Sequence, residues 1–321
     1  MKPLYIDERW DGAHGIGRYA REVVSRFDLE WRPLGREGSP SSPLDAFIPV
    51  KDAQRNAVVY SPGYNVIRGA ETQVVTVHDL IHRTVHWPGR LKYLAYYDLI
   101  LRPQIRKAGL VFTVSEVSRQ AIAEWLRDDR VDIVNAGIGT SAAFTVEGER
   151  APTTVPYVMY VGNMRAHKNT RVLMQAMALL PDLRLKMLIP RAEAAQAREV
   201  AAGSGITGAV DLVHDVDDQT LAALYRGAAV TAMPSLHEGF GLPPLESIMT
   251  GTPVVYWAGC SAVAETSAGF GTAVTSPTDA REWADAIEHE ARLGRVIRPP
   301  RDRYDWDTTA ATVQRNLLRV M

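Results

Sequence analysis

An α/β architecture made of two similar halves follows from three observations on the 321-residue chain. Short apolar runs of strand length alternate with segments of helical periodicity, the pattern of layered, mainly parallel sheets. The 46% hydrophobic fraction supports real cores, and no charge-rich, low-complexity or repeated stretch interrupts it. A polar stretch, Glu147-Gly148-Glu149-Arg150-Ala151-Pro152-Thr153-Thr154, lies near the middle, with a fresh apolar run just after it. The length suits two domains of ordinary size. The expected division is 1–150, 151–303 and a last helix over 304–321.

In the first half, residues 3–7, 58–60, 73–77, 110–114 and 131–134 read as strands. Ile16, Ala20, Val23, Val24 and Phe27 recur at helical spacing and mark the first helix. In the second half, strands are expected at 157–161, 183–189, 210–213, 229–233 and 253–256. Leu173, Ala176, Met177 and Leu180 give one helix between them, and Leu221, Leu224, Tyr225 and Ala228 another. At the end, Ala310, Val313, Leu317 and Val320 form an apolar stripe, with Asp305 or Asp307 as its N-cap.

Composition removes several classes of function. A net charge of −1 provides no global field for nucleic acid. The start, Met1-Lys2-Pro3-Leu4-Tyr5-Ile6-Asp7, reaches a charge too soon for a signal peptide. No apolar run approaches the roughly 18–20 residues that span a bilayer. Cys260 is the single cysteine, which excludes an internal disulfide and a cysteine metal cluster. A soluble, cytoplasmic protein is the expectation.

The most informative stretch is Pro234-Ser235-Leu236-His237-Glu238-Gly239-Phe240-Gly241-Leu242-Pro243-Pro244-Leu245-Glu246. It sets Glu238 and Glu246 eight residues apart around a glycine-rich turn. The prolines suit a helix opening, where a missing N–H costs little. Glu238 is then expected in the strand-to-helix loop and Glu246 in or near the first helical turn. Gly239 and Gly241 allow close backbone approach to an anion. The blander reading makes Glu246 a first-turn charge that complements the helix dipole, and Glu238 a solvated loop residue.

Position strengthens the functional reading. In open α/β sheets, ligands bind beyond the carboxyl ends of the strands. Gly15 and Gly17 lie beyond strand 3–7, and His78 ends strand 73–77. Arg165 and Lys168 follow strand 157–161, and Glu238 follows strand 229–233. Two facing sheets would aim all these groups into one cleft. Arg165 and Lys168 sit three apart at a loop-to-helix junction, with Asn169 or Thr170 as cap, and suit a diphosphate. A surface basic pair is the alternative there, and a satisfied core histidine is the alternative for His78.

Other patterns read less sharply. Gly15-x-Gly17-x-x-Ala20 fits a dinucleotide fingerprint, but residues 8–14 separate it from its strand, so a nicotinamide enzyme is the weaker reading. Asp215-x-Asp217 and Asp305-x-Asp307 precede helical patterns, and capping explains them better than a metal. Residues 83–107 carry six Lys or Arg against one Asp, interleaved with Trp87, Tyr93, Tyr96 and Tyr97. Such a face could make peripheral contact with an anionic membrane. A solvated helix with core-facing tyrosines is the preferred reading.

The paired glutamates resemble the Glu-x7-Glu motif of retaining glycosyltransferases of the large GT4 family. Gly15-Ile16-Gly17-Arg18-Tyr19, Val77-His78-Asp79-Leu80, Thr113-Val114-Ser115-Glu116, residues 160–169 and Gly251-Thr252-Pro253-Val254-Val255 look like that family's landmarks, in its order. The resemblance implies the GT-B architecture: two Rossmann-like domains whose parallel sheets face each other across a central cleft. It also implies that the terminal helix crosses back to the first domain. Arg165 and Lys168 would hold the donor diphosphate, Glu238 the sugar hydroxyls and Glu246 the ribose diol. His78 would touch the transferred sugar. Gly15, Gly17, Gly162, Asn163, Val216, Gly239, Phe240, Gly241 and Leu242 would line the donor.

No metal and no cofactor is expected, the nucleotide diphosphate sugar being a co-substrate. The acceptor would be a saccharide, lipid-linked or small-molecule hydroxyl. Within the family the chain looks most like mannosyltransferases that use GDP-mannose. His214 stands where the family usually has glycine ahead of the base-contacting residue, so base recognition departs from the pattern. The competing classes are a non-transferring GT-B enzyme, such as a sugar-nucleotide epimerase, and a non-catalytic partner subunit. Intact Arg165, Lys168, Glu238 and Glu246 count against the latter.

Overall fold

A computed structural model of the chain describes residues 2–12, 15–49, 55–84, 89–300 and 304–321; Trp87 lies outside these. The chain divides into two compact units, Met1–Gly139 with Tyr304–Met321, and Thr140–Arg303.

The first unit contains β1 (Leu4–Ile6), α1 (Gly15–Val24), β2 (Arg32–Pro33), β3 (Val58–Ser61) and β4 (Thr72–Val75). It continues with α2 (Ile81–Thr84), α3 (Arg90–Tyr96), α4 (Arg102–Ala108), β5 (Leu110–Thr113), α5 (Glu116–Leu126) and β6 (Asp132–Asn135). The strands form a parallel sheet in the order β2-β1-β3-β4 and a parallel pair β5-β6. A bridge between Thr76 and Phe112 carries the ladder from β4 to β5. β1, β3 and β5 are buried at every position, which is why they read as continuous apolar runs rather than alternating ones. Between α3 and α4 the helix widens into a π turn, Tyr97–Leu101. Pro103 accounts for it: its nitrogen has no proton to donate, and its ring crowds the carbonyl four residues back. Tyr96 and Tyr97 point into the core, as expected of tyrosines on this segment.

The second unit alternates strictly: β7 (Tyr157–Val161), α6 (Thr170–Met177), β8 (Arg184–Leu188), α7 (Ala194–Gly203), β9 (Val210–Val213) and α8 (Asp218–Gly227). Then come β10 (Val230–Met233), α9 (Leu242–Met249), β11 (Val254–Trp257), α10 (Ser261–Ser267), β12 (Gly271–Val274) and α11 (Ala280–Leu293). The all-parallel sheet runs β12-β11-β10-β7-β8-β9. Its order reverses between β7 and β10, so a crevice opens at the carboxyl ends of those two strands. Trp283 of α11 is fully buried in the core of this unit, in one cluster with Leu173, Met174 and Met187.

The last helix, α12 (Trp306–Leu318), belongs to the first unit. Asp305 caps it, accepting from the Thr308 amide at 2.8 Å, and Val313 and Leu317 are fully buried. Arg26 of the α1 region reaches Asp307 at 2.7 Å, and the Lys2 amide donates to the Met321 carbonyl at 2.9 Å. The segment from Ala143 to Glu149, which runs into the polar stretch, is strapped to α8. Buried Arg226 of α8 donates to the carbonyls of Glu149 (2.7 Å), Thr145 (3.0 Å) and Ala143 (3.3 Å). The passage between units falls before this strap, between Gly139 and Thr140.

Candidate functional site

In the second unit the crevice between β7 and β10 holds an ion pair. Lys168 Nζ lies 2.5 Å from Glu238 Oε1, and both side chains are close to nine-tenths buried. Lys168 ends a 3-10 turn, Ala166–Lys168, that follows β7, and Glu238 lies in the loop after β10. The Leu236 amide donates to the His167 carbonyl at 2.7 Å and ties the two loops together. Thus residues 70 positions apart meet at the switch point of the sheet.

The β7 loop is shaped by its own polar groups. Asn163 Oδ1 accepts from the Arg165 amide at 3.1 Å, and the Asn163 carbonyl accepts from the Tyr160 hydroxyl at 2.7 Å. A Cβ on Gly162 would lie 2.6 Å from that hydroxyl, so glycine is required there. Arg165 is exposed at the lip of the crevice. Asn169, in the left-handed region at φ 51°, turns the chain into α6 and donates to the Pro277 carbonyl at 2.7 Å. Burial, together with the positive charges of Lys168 and Arg165 and with His237, pushes the His167 imidazole below its usual value, against the pull of Glu238.

The β10 loop enters α9 through Gly241, whose φ of 94° favours glycine. Phe240 and Gly241 are buried, and Gly239 and Leu242 are half-buried. Pro243 and Pro244 bring no N–H to the first turn, which narrows the anion-binding capacity of this helix end. The helix begins at Leu242, so Glu246 is its fifth residue and lies in the second turn, deeper than expected. It is 4% exposed, with Tyr225 OH 3.4 Å from its Oε2. Cys260 lies buried near Glu238, and burial pushes its thiol up to about 11, so it stays protonated.

Two groups of this site escaped the sequence reading. Glu193, beyond the carboxyl end of β8, accepts from the Met164 amide at 2.6 Å and holds the β7 loop in place. The positional rule that found Arg165 would have found it too. Tyr225, on α8, was read as a core residue and also partners Glu246. Beyond β9, Val216 is half-buried, His214 Nδ1 lies 2.7 Å from the Ile189 carbonyl, and Asp215 adopts φ 54° and pairs with Arg191 at 2.9 Å. The left-handed residue is therefore Asp215, one place after His214. Asp217 caps α8, accepting from the Thr220 amide at 2.8 Å.

In the first unit, β1 leads into a loop fixed by buried charge. Arg9 donates to Asp7 at 2.7 Å and to Asp45 at 2.8 Å, and Asn65 also donates to Asp7. Gly15 opens α1 and is exposed. Gly17 is buried where a Cβ would collide with the Gly12 carbonyl. His78 lies just past β4, with Nε2 2.9 Å from the Pro62 carbonyl and its ring edge-on to Tyr19 at 4.8 Å. Ser118 donates to the His78 carbonyl at 2.9 Å. His78 is thus anchored by one ring nitrogen and lies beside the α1 residues.

Residues 143–290 match the family described as glycosyl transferases group 1. The chain is 25% identical over 242 residues to the O-antigen chain mannosyltransferase RfbU of Salmonella typhimurium, across 73% of this chain and 66% of that protein. It is 32% identical over 200 residues to a D-inositol 3-phosphate glycosyltransferase of Corynebacterium urealyticum, across 56% and 47% respectively. The chain thus spans from about half to two thirds of the length of these relatives. Among solved structures, sucrose-phosphate synthase of Thermosynechococcus elongatus superposes with a TM-score of 0.74 at 17% identity, over 100% of both chains. Anabaena Alr3699/HepE, solved in complex with UDP and glucose, gives 0.69 at 16%, over 99% of both. With two parallel α/β units, this chain has the GT-B fold, and most of its second unit, residues 143–290, is similar to the group 1 glycosyltransferases.

Proposed function

We propose that this protein is a retaining hexosyltransferase that moves a sugar, mannose by preference, from a nucleoside diphosphate sugar to an acceptor hydroxyl. The observation that carries the reading is the Lys168–Glu238 pair at the switch point of the second sheet. A cation there, with Arg165 at the lip, suits a diphosphate, and the adjoining carboxylate suits sugar hydroxyls. The mannose preference is supported by the likeness to an O-antigen chain mannosyltransferase.

In the proposed reaction the bond between the anomeric carbon and the diphosphate oxygen breaks, and its electron pair leaves with the nucleoside diphosphate. Lys168 and Arg165 offset that charge, an effect typically worth about 3–4 kcal/mol per well-placed donor. The acceptor oxygen bonds to the anomeric carbon on the leaving-group side, and its proton passes to the departing phosphate oxygen. Glu238 orients the sugar, and Glu246 accepts from the ribose diol. No carboxylate need act as nucleophile.

A thermal-shift screen with GDP, UDP and ADP and their sugars tests the donor, because ligand binding raises apparent stability by mass action. Stabilisation by GDP and GDP-mannose above the others is expected. Nucleotide release with and without saccharide acceptors then separates the classes. Release that depends on acceptor supports transfer, isomerised donor with no release indicates an epimerase, and neither indicates a partner subunit.

A further inference from the structure

The first unit exposes an unusual apolar surface. Among the described residues, the three most exposed large apolar side chains are Leu91 (80%), Leu99 (75%) and Leu44 (71%), and Phe47 and Ile48 are also at least half exposed. They gather around one feature. Leu91, Ala95, Leu99, Pro103 and Lys107 recur every four residues along α3, the π turn and α4, and all five are exposed. Phe47 ends the 3-10 turn Pro43–Phe47, with Leu44 inside it and Ile48 just after. A groove of about 540 Å³ lies between these two elements, lined by Phe47 on one side and by Leu99, Pro103 and Lys107 on the other, with Arg68 beside them.

Charge decides what covers this face. The acidic residues around it are already engaged: Asp98 with Arg83 at 2.8 Å, and Glu71 with Lys2 at 2.8 Å. Arg68, Lys92 and Lys107 are exposed, and none forms an ion pair among the described residues. Apolar side chains projecting from a helix between unpaired cations complement a bilayer surface, with leucines entering the acyl boundary and cations meeting anionic headgroups. A second copy of this face would bring the same cations against one another, which disfavours self-association. No helix among the described residues is long and apolar enough to cross a membrane, so the contact would lie at the interface.

We infer that the face formed by the 3-10 turn Pro43–Phe47, α3, the π turn and α4 docks the protein on an anionic lipid surface. This stands apart from sugar transfer, and its test measures no activity. Flotation with vesicles of phosphatidylcholine containing about one-third phosphatidylglycerol is compared with flotation on pure phosphatidylcholine. The wild-type chain should float with the anionic vesicles only and be released at about 0.5 M salt. The double variant Leu91→Glu with Leu99→Glu changes two exposed positions and should keep the wild-type circular dichroism, yet lose binding at least about tenfold. Lys92→Glu with Lys107→Glu should lose it similarly. Wild-type protein that stays unbound overturns the inference, as do variants that float as well as wild type. So does a concentration-dependent dimer abolished by Leu91→Glu with Leu99→Glu, which would make a second copy the occupant.

Discussion

A single cation and a single carboxylate set the character of the crevice. Because Lys168 and Glu238 are both largely buried, removing one leaves the other without its partner in a poorly solvated place. Lys168→Ala should therefore lower turnover at least about tenfold and cost roughly 3 kcal/mol of stability. Adding Glu238→Gln to it should restore much of the melting temperature and none of the turnover. Equal melting temperatures for wild type and Lys168→Ala would show that the pair is not formed in solution. The two glutamates should separate in steady-state kinetics with varied donor. Glu238→Gln should lower kcat by about tenfold or more, while Glu246→Gln should mainly raise KM. Glu238→Gln should also tighten binding of the free nucleoside diphosphate, since Lys168 no longer shares its charge with a carboxylate. An inverted pattern of kcat and KM would reverse the two roles. His167 gives a pH signature. Its folded-state value lies below the usual 6.5 or so, so the unfolded chain takes up the proton first. The associated stability is complete above about pH 6.5 and is lost as pH falls through the folded value. Melting curves from pH 7.5 down to 5 should fall more steeply for wild type than for His167→Gln, and parallel curves would remove this residue from the account. The spacing of Glu238 and Glu246 was legible in the sequence, and so was the opening of α9 at its two prolines; the burial of Glu246 was not. Gly241 in the left-handed region begins the helix at Leu242 and carries Glu246 into the second turn.

At the scale of elements, strands with an apolar run were legible, edge strand β9 among them, and β2 and β12 were not. β3, β5, β7 and β10 are runs of apolar residues whose burial follows from their composition. β2 is two exposed residues, Arg32–Pro33, with no hydrophobic pattern to announce it. β12, Gly271–Val274, opens on glycine and is half exposed, so its only signal was its neighbour β11. β6 runs one residue later than the apolar run beginning at Val131, because its ladder partner Leu110 pairs with exposed Asp132. The strap along α8 shows an element defined by one side chain. Its polar part, from Glu147, read as the join between two domains, yet the carbonyls of Ala143, Thr145 and Glu149 converge on the Arg226 guanidinium. Arg226→Met keeps the bulk and removes the donors, leaving carbonyls without partners. A loss of roughly 3 kcal/mol is expected, equivalent to about 6–12 °C in the melting temperature. Faster proteolysis within 143–151 should accompany it, and an unchanged digestion pattern would show that the strap is held by other contacts.

Across the whole molecule, the alternation of strands and helices was enough to foresee two parallel α/β units, and the carboxyl-end rule was enough to find Lys168 and Glu238. What it could not supply was their pairing, because contact between residues so far apart in sequence depends on β7 and β10 becoming neighbours. The distribution of charge bears on metal use. In the proposed reaction Lys168 and Arg165 would offset the leaving diphosphate, the part a divalent ion plays elsewhere. Transfer should therefore survive EDTA, and activity abolished by chelation and restored by magnesium or manganese would refute this and reopen Asp215 and Asp217. The placement of α12 has a consequence for how the protein comes into being. The first unit is interrupted in sequence by the second, and its closing helix leaves the ribosome only after the second unit has done so. Until then, buried partners such as Tyr19 lack the Trp306 ring that packs against them at 6.1 Å. The second unit, continuous in sequence, can complete its sheet while the earlier-made strands still await their cover. Order of synthesis and order of completion are thus opposite in this chain, and the nascent first unit is the natural client of whatever shields unfinished surfaces in the cell.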